Sequence, residues 1–424
     1  VSGFSFRSDS LFCEGVPLGA LAEKFGTPLF VYSAQTIIAN CRAIEHAFEG
    51  FAHFTTYAVK ANSNVHLLEL IAAQGLGADV GSRGELFLAL KAGFSPSKIS
   101  FSGVGKRDDE IEYALQNNIL AFNAESEQEI EVINEIAQRL NTRARIVLRL
   151  NLDIDAGTHD YISTSKKQNK FGVPSHRAAE VLRGAMQRSH IEVRGIHSHI
   201  GSQITDANAF VSAARTLSAL VAALRADGIP VHDLDFGGGF GVQYHGVLAH
   251  EKLPREKSNE APPDAGRFIK SVLPILKATG CNISIQPGRS IIANAGVLAT
   301  KVLYRKIENG KTFIIVDGGM NDVIRPSLYQ AHHQIVPLRL NDLPFETVDV
   351  VGPCCESGDF FALNRSLPRV ERGDFLALVC TGAYGFVLSS NYNARVRGAE
   401  ILVDGRSFEM IRERERIENL ASKR

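Results

Sequence analysis

Before residue 292 the chain alternates eight short apolar runs, each ending in polar or glycine-rich residues, with longer stretches whose apolar residues recur every three or four positions. The runs are FTTYAVKAN, GLGADVGS, ISFSGVG, LAFNAES, RIVLRLN, VRGIHSHIGS, DLDFGGGFG and ISIQPGRS. Their nearly continuous hydrophobicity is that of parallel strands covered by chain on both faces. Between them, stretches such as VHLLELIAAQ and SEQEIEVINEIAQRL have the period of amphipathic helices. Eight such units in about 250 residues predict an α/β fold, a (β/α)8 TIM-type barrel, whose chemistry gathers at the C-terminal strand ends. No helix pattern follows the eighth run, but SAQTIIANCRAIEHAFE precedes the first, with Ser33 placed to cap it, and is expected to close the ring. A doubly wound open sheet is the competing architecture. Its dinucleotide fingerprint belongs after the first strand, where this chain has KANSN.

From about residue 292 the pattern changes to strands without helices: VLATKVLYRKI, KTFIIVDGG, HQIVPLRL, TVDVVGPCC, DFLALVCTGAYG and ARVRGAEILVDG. Two domains are expected, a barrel over 30–291 and an all-β domain over 292–424. Residues 1–29, short of helix pattern, are expected to add a strand to the second. The tail RERERIENLASKR reads as a solvated helix.

Composition narrows the function. Forty-six basic residues balance 46 acidic ones, so there is no electrostatic footprint for nucleic acid or an anionic membrane, and small-molecule work is expected. No apolar run reads as a membrane span and no signal peptide is evident at the start, which points to the cytoplasm. Six cysteines without a C-x-x-C pair suggest free thiols and no zinc.

The strand ends carry the candidate chemistry. Gly237, Gly238 and Gly239, in DFGGGFG at the seventh, offer backbone N–H groups that can converge on an anion, and a phosphate site near strand seven or eight is common in this barrel. Gly288 and Arg289 in QPGRS adjoin it. His197 and His199 are two apart on the sixth strand and share a face; no histidine at another strand end completes a zinc site. A ring packed on a planar ligand, with Ser202 near the phosphate, is the expectation instead. Lys60, at the end of the first strand, has two readings: a desolvated amine that forms a Schiff base with an aldehyde, or an ion-pair partner of Asp79 across the barrel. The aldehyde cofactor that also carries a phosphate is pyridoxal 5'-phosphate (PLP).

Together YAVKAN, HSHIGSQ, GGGFG, QPGR, MNDVIRPSLYQAHH, CESGD and GAYGFVLSSNYN resemble the fold-type III PLP-dependent decarboxylases, over residues 10–415 and in that family's order. The segment HDYISTSKKQNKFGV resembles the diaminopimelate branch rather than the ornithine or arginine branches. The resemblance implies that Lys60 holds PLP covalently, that His199 stacks on its ring, and that Ser202, Gly237 to Gly239 and Gly288 hold its phosphate. It implies Arg289, Arg325 and Tyr329 for the distal carboxylate of meso-diaminopimelate, with Tyr384 against cofactor and substrate. It further implies a homodimer with shared active sites, in which CESGD from one subunit supplies Cys355 as a proton donor and Glu356 as a ligand for the distal amino group. A planar guanidinium pairs two-point with a carboxylate, so two of them disfavour ornithine and lysine, which lack that group.

One position departs from the family. Its pattern is Glu-Pro-Gly-Arg, the glutamate facing the pyridine nitrogen; here Gln286 stands there. A neutral amide carries no negative charge, so a weaker electron sink is expected. Other readings are a basic amino-acid decarboxylase or racemase of the same fold, a non-catalytic PLP carrier, which would be a single barrel, and a zinc amidohydrolase. The arginine pair argues against the first two and the β-domain with CESGD against the carrier, while metal analysis would settle the last.

Overall fold

The computed structural model describes residues 3–154, 170–256, 262 and 264–421, so most of HDYISTSKKQNKFGV lies outside the described residues. The chain divides into two compact units. One comprises 40–242 and 262–290, the other 1–39, 243–261 and 291–424.

The first unit is a closed parallel barrel. Its strands are β1 (His53–Ala58), β2 (Gly77–Val80), β3 (Ile99–Phe101), β4 (Ala121–Ala124), β5 (Ala144–Asn151), β6 (Ile191–His197), β7 (Asp233–Asp235) and β8 (Asn282–Ile285). Each pairs in parallel with the next, and β8 pairs with β1 through Ile283, Ser284 and Ile285, so the sheet has no free edge. All eight runs read from the sequence form these strands, because residues buried on both sides must be apolar almost throughout.

Several of the surrounding helices start from polar caps. Ser82 accepts from Glu85 N–H at 3.2 Å, Ser126 from Glu129 N–H at 3.1 Å and Asp206 from Asn208 N–H at 2.9 Å. The helix before β1 spans Ala34–Ala47 and is capped as expected, Ser33 Oγ accepting from Thr36 N–H at 3.1 Å. After β8 the chain does form one helical turn, Arg289–Ile292, too short to show as a period in the sequence. The helix Ala207–Ala226 is long and apolar enough to cross a membrane by length and composition, contrary to the sequence reading. Its alanine-rich composition explains this: Phe210, Ala213, Ala214, Leu217, Val221 and Leu224 form one buried stripe, the pattern of a barrel helix.

The second unit is built on the 13-residue strand Gly296–Glu308. Its first half pairs with Phe375–Val379 and Leu29–Ser33, its second with Lys311–Val316. Residues 30–33, which the sequence reading assigned to the barrel, therefore lie in this sheet, and all five residues of Leu29–Ser33 are buried. Two of the described strands after residue 292 were not read from the sequence. Phe360–Pro368 has no clean alternation, and Ser407–Arg412 is an exposed edge.

Two further expectations are corrected. The opening residues contain a helix, Leu18–Phe25, set between Pro17 and Gly26, with Leu18, Leu21 and Ala22 buried at helical spacing. Three short strands before it form a meander of their own. The charged tail is not a solvated helix: Arg412 ends a strand and pairs with Glu400, Glu415 pairs with Arg397, and Arg414 donates to Pro28 O at 2.8 Å. Among its described residues only Ile417–Leu420 is helical, as a 3-10 turn. Paired charges tie this segment to the sheet.

Candidate active site

At the C-terminal barrel ends, Lys60 stands on a 3-10 turn, Val59–Ala61, directly after β1. Its neighbours Val59 and Ala61 are buried while Lys60 is exposed, so the short turn delivers an amine to the mouth of the barrel without burying it. Asp79, at 5 % exposure on β2, feels Lys60 as a through-space charge. Its Oδ1 accepts from Ser102 Oγ at 2.6 Å and Ser100 Oγ at 3.1 Å, yet burial dominates and holds the carboxyl above its usual range.

His197 and His199 have the same spacing in sequence but different surroundings, because β6 ends at His197 and strand alternation stops there. His197 is fully buried, and His199 is half-buried. Burial first, then Lys60 and Arg149, push the His199 imidazole well below its ordinary value, so it is neutral near pH 7. The Gly238 N–H donates to its Nδ1 at 3.1 Å, which leaves the proton on Nε2 and fixes the ring plane.

The glycine turn is more specific than an anion cradle. Gly237 and Gly239 have φ of 71° and 99°, and a Cβ on Gly238 would lie 2.1 Å from the Gln286 carbonyl oxygen. Glycine is required here by conformation and close backbone approach. Gly237 N–H donates to Asp235 Oδ1 at 2.8 Å and Gly238 N–H to His199, so only Gly239 keeps its N–H without a partner among the described residues. The expectation that all three N–H groups meet a phosphate is narrowed accordingly. Beside the turn, buried Arg289 donates to Ser202 Oγ at 2.9 Å, which brings a cation and a hydroxyl together. Gly288 packs against Ala58 and Ala61, and a Cβ there would approach them to about 3.0 Å.

Gln286 is buried, and its amide nitrogen donates to Asp235 Oδ2 at 2.8 Å and Asp79 Oδ1 at 3.2 Å. Burial first, and then the Asp79 charge against the lowering by Gly237 N–H, push Asp235 up to about 7. The sequence reading passed over Asp235, although an aspartate inside the apolar run DLDF was a signal.

The remaining candidates lie in the second unit. Arg325 opens a one-turn helix, Arg325–Tyr329, and is buried; its Nη1 donates to His333 Nε2 at 2.7 Å and its guanidinium lies 4.6 Å from the Tyr244 ring centroid. His333 Nδ1 in turn donates to Val379 O at 2.8 Å, so His333 is a neutral ring that orients the arginine. Nothing in AHHQ distinguished it. Tyr329 and Tyr384 are half-buried, Tyr384 at a left-handed φ of 57°.

Cys355 and Glu356 are exposed on a turn held by the buried Asp359, which accepts from Met320 N–H and Cys354 N–H, each at 2.6 Å. Cys355 N–H donates to Asn393 Oδ1 at 2.9 Å. Cys354 is less accessible, its thiol pushed up to about 11 by burial and then by Asp359. Both are free thiols. One group among the described residues has metal-ligand types close together, His245, Glu256 and His332. Arg365 is hydrogen-bonded to both Glu256 and His332 and puts a cation in competition for their lone pairs.

A lysine amine, a neutral imidazole of fixed plane, and an arginine, a hydroxyl and a backbone N–H suited to a phosphate define a barrel for an aldehyde cofactor bearing phosphate, and the residues present fit PLP. The chain belongs to the pyridoxal-dependent decarboxylases: the family's pyridoxal-binding domain matches residues 34–293. Within them it belongs to the diaminopimelate decarboxylase family. It is 46 % identical to the diaminopimelate decarboxylase of Pseudomonas aeruginosa, over 98 % of this chain and 97 % of that one. It is 45 % identical to that of Aquifex aeolicus, over 97 % and 94 %. Among solved structures, the diaminopimelate decarboxylase of Helicobacter pylori complexed with L-lysine superposes with a TM-score of 0.88, at 40 % identity and covering 95 % of this chain and 98 % of that one. A lysine/ornithine decarboxylase from Vibrio vulnificus, at 23 % identity and a TM-score of 0.77, shares the fold.

Proposed function

We propose that this chain decarboxylates meso-2,6-diaminopimelate to L-lysine and CO2, the last step of lysine biosynthesis, as a cytoplasmic homodimer. The observation that carries this reading is Arg325, a buried guanidinium oriented by the neutral His333. A guanidinium held in a fixed orientation by that imidazole is suited to two-point pairing with the substrate's distal carboxylate, a group that ornithine and lysine lack.

When bound, PLP supplies an electron-accepting ring for the pair released with CO2. The chain does the rest. Lys60 would hold the cofactor's aldehyde carbon. Arg289, beside Ser202, with Gly239 and Gly288, would hold the phosphate, and His199, its plane set by Gly238, would pack on the ring. Arg289 and Tyr329 complete the carboxylate contact, Tyr384 borders cofactor and substrate, and Glu356 takes the distal amino group. Cys355, on an exposed turn, is suited to give a proton to the substrate Cα in the other subunit's site.

The test is to offer meso-diaminopimelate, ornithine, arginine and lysine in parallel to the PLP-loaded protein and measure CO2. Release from diaminopimelate alone is expected, and release from ornithine without diaminopimelate would overturn the specificity. Lys60→Ala should abolish both the activity and the visible absorbance of bound cofactor.

A further inference from the structure

Gln286 stands where the Glu-Pro-Gly-Arg pattern that the sequence resembles has its glutamate, and its surroundings determine what it offers. An amide NH2 has two hydrogens, and both are engaged here, one on Asp235 Oδ2 at 2.8 Å and one on Asp79 Oδ1 at 3.2 Å. The acceptors come from separate strands, Asp79 from β2 and Asp235 from β7, while Gln286 follows β8. The two carboxylates are fixed in turn, Asp79 by Ser100 and Ser102, Asp235 by Gly237 N–H. Turning the amide over would set its carbonyl oxygen against two carboxylate oxygens in a buried place, so the orientation shown is the one with complementary charges. All that the side chain has left to present is Oε1, an acceptor.

We propose that Asp79 and Asp235 are positioning residues that lock Gln286 so that its carbonyl oxygen accepts a hydrogen bond from the protonated ring nitrogen of the cofactor. The inference rests on the PLP reading of the barrel mouth. An acceptor-only partner favours the ring nitrogen in its N–H form, whereas a donor would favour the bare nitrogen. Hydrogen-bonding the NH2 to two carboxyl oxygens draws electron density onto Oε1, and above about pH 7, where Asp235 has lost its proton, the amide passes on part of the resulting charge. The negative charge missing from position 286 is thus moved back by one residue. The sequence alone, showing a neutral amide, predicted a weaker electron sink.

The test is 15N NMR of the holoenzyme reconstituted with PLP labelled at the pyridine nitrogen, at pH 8, for the wild type, Asp235→Asn, Asp79→Asn and Gln286→Glu. The asparagines retain an acceptor oxygen and remove the charge. The wild type and Gln286→Glu are expected in the protonated range. In each asparagine variant the ratio of protonated to bare nitrogen should fall about tenfold, the effect of one lost pKa unit. A residue that merely supports the fold would change cofactor occupancy without moving this resonance. Bound cofactor with a bare ring nitrogen in the wild type, or a protonated fraction unchanged in both asparagine variants, would overturn the proposal alone. A wild type that takes up no PLP would overturn the cofactor reading as well.

Discussion

Asp235→Asn should make the cofactor-free protein gain stability relative to wild type as the pH rises. In the fold this carboxyl is pushed up from 3.8 to about 7, first by burial. The folded state therefore binds its proton more tightly than the unfolded chain. Between those two values the unfolded chain has released a proton that the folded chain retains, so stability falls with rising pH and levels off above about 7. From pH 5 to pH 8 the wild type loses about 3 kcal/mol through this one group, by the linkage relation at 1.36 kcal/mol per pKa unit.

Asparagine does not titrate. It does replace one acceptor oxygen with a donor facing either Gly237 N–H or the Gln286 amide, a change that costs about 1–3 kcal/mol at every pH. The pH-independent loss cancels when the difference between variant and wild type is compared at the two pH values. Urea denaturation of both proteins without cofactor, at pH 5 and pH 8, measures this. The variant should gain about 3 kcal/mol on the wild type between them. Parallel pH profiles would refute the idea that the site holds a carboxylate against its burial.

His333→Leu should raise KM for diaminopimelate by about tenfold to a hundredfold, with a smaller change in kcat, because Arg325 loses its orienting acceptor; His333→Gln should restore part of the loss. Gly239→Ala should destabilise the barrel by about 1–3 kcal/mol from backbone strain alone in chemical denaturation, since φ is 99° and a Cβ would lie 2.2 Å from Gly201 O. Iodoacetamide at pH 8 should label the exposed Cys355 before Cys354, whose thiol is pushed up to about 11, as mass spectrometry of the peptides would show. Equal labelling would contradict the two environments.

The barrel was legible because parallel strands covered on both sides leave no room for polar residues until they end. Lys60, His199, Ser202 and Arg289 stood out among the polar and glycine-rich residues that end the buried runs, and Gln286 only against the family pattern. The helix Leu18–Phe25 and the strand Phe360–Pro368 were not legible, being too short or too irregular in burial to show a period. In the candidate site, the sequence could not show which partner consumes which hydrogen. A glycine triplet reads as three available N–H groups until Asp235 and His199 are seen to take two of them. Nor could it show His333: one of two adjacent histidines turns inward to orient an arginine, a result of the local fold rather than of spacing.

The strand Leu29–Ser33 has a consequence for synthesis of the chain. Its partners are Gly296–Ala299 on one side and Ala399–Val403 on the other, so it leaves the ribosome about 370 residues before its second neighbour exists. At ordinary elongation rates that interval is roughly 20 to 70 seconds. Throughout it, five residues that end wholly buried, Leu29, Phe30, Val31, Tyr32 and Ser33, remain an apolar segment without its sheet. The sheet is thus sealed by a segment made about 370 residues before its second neighbour, which leaves LFVYS in need of chaperone protection during translation.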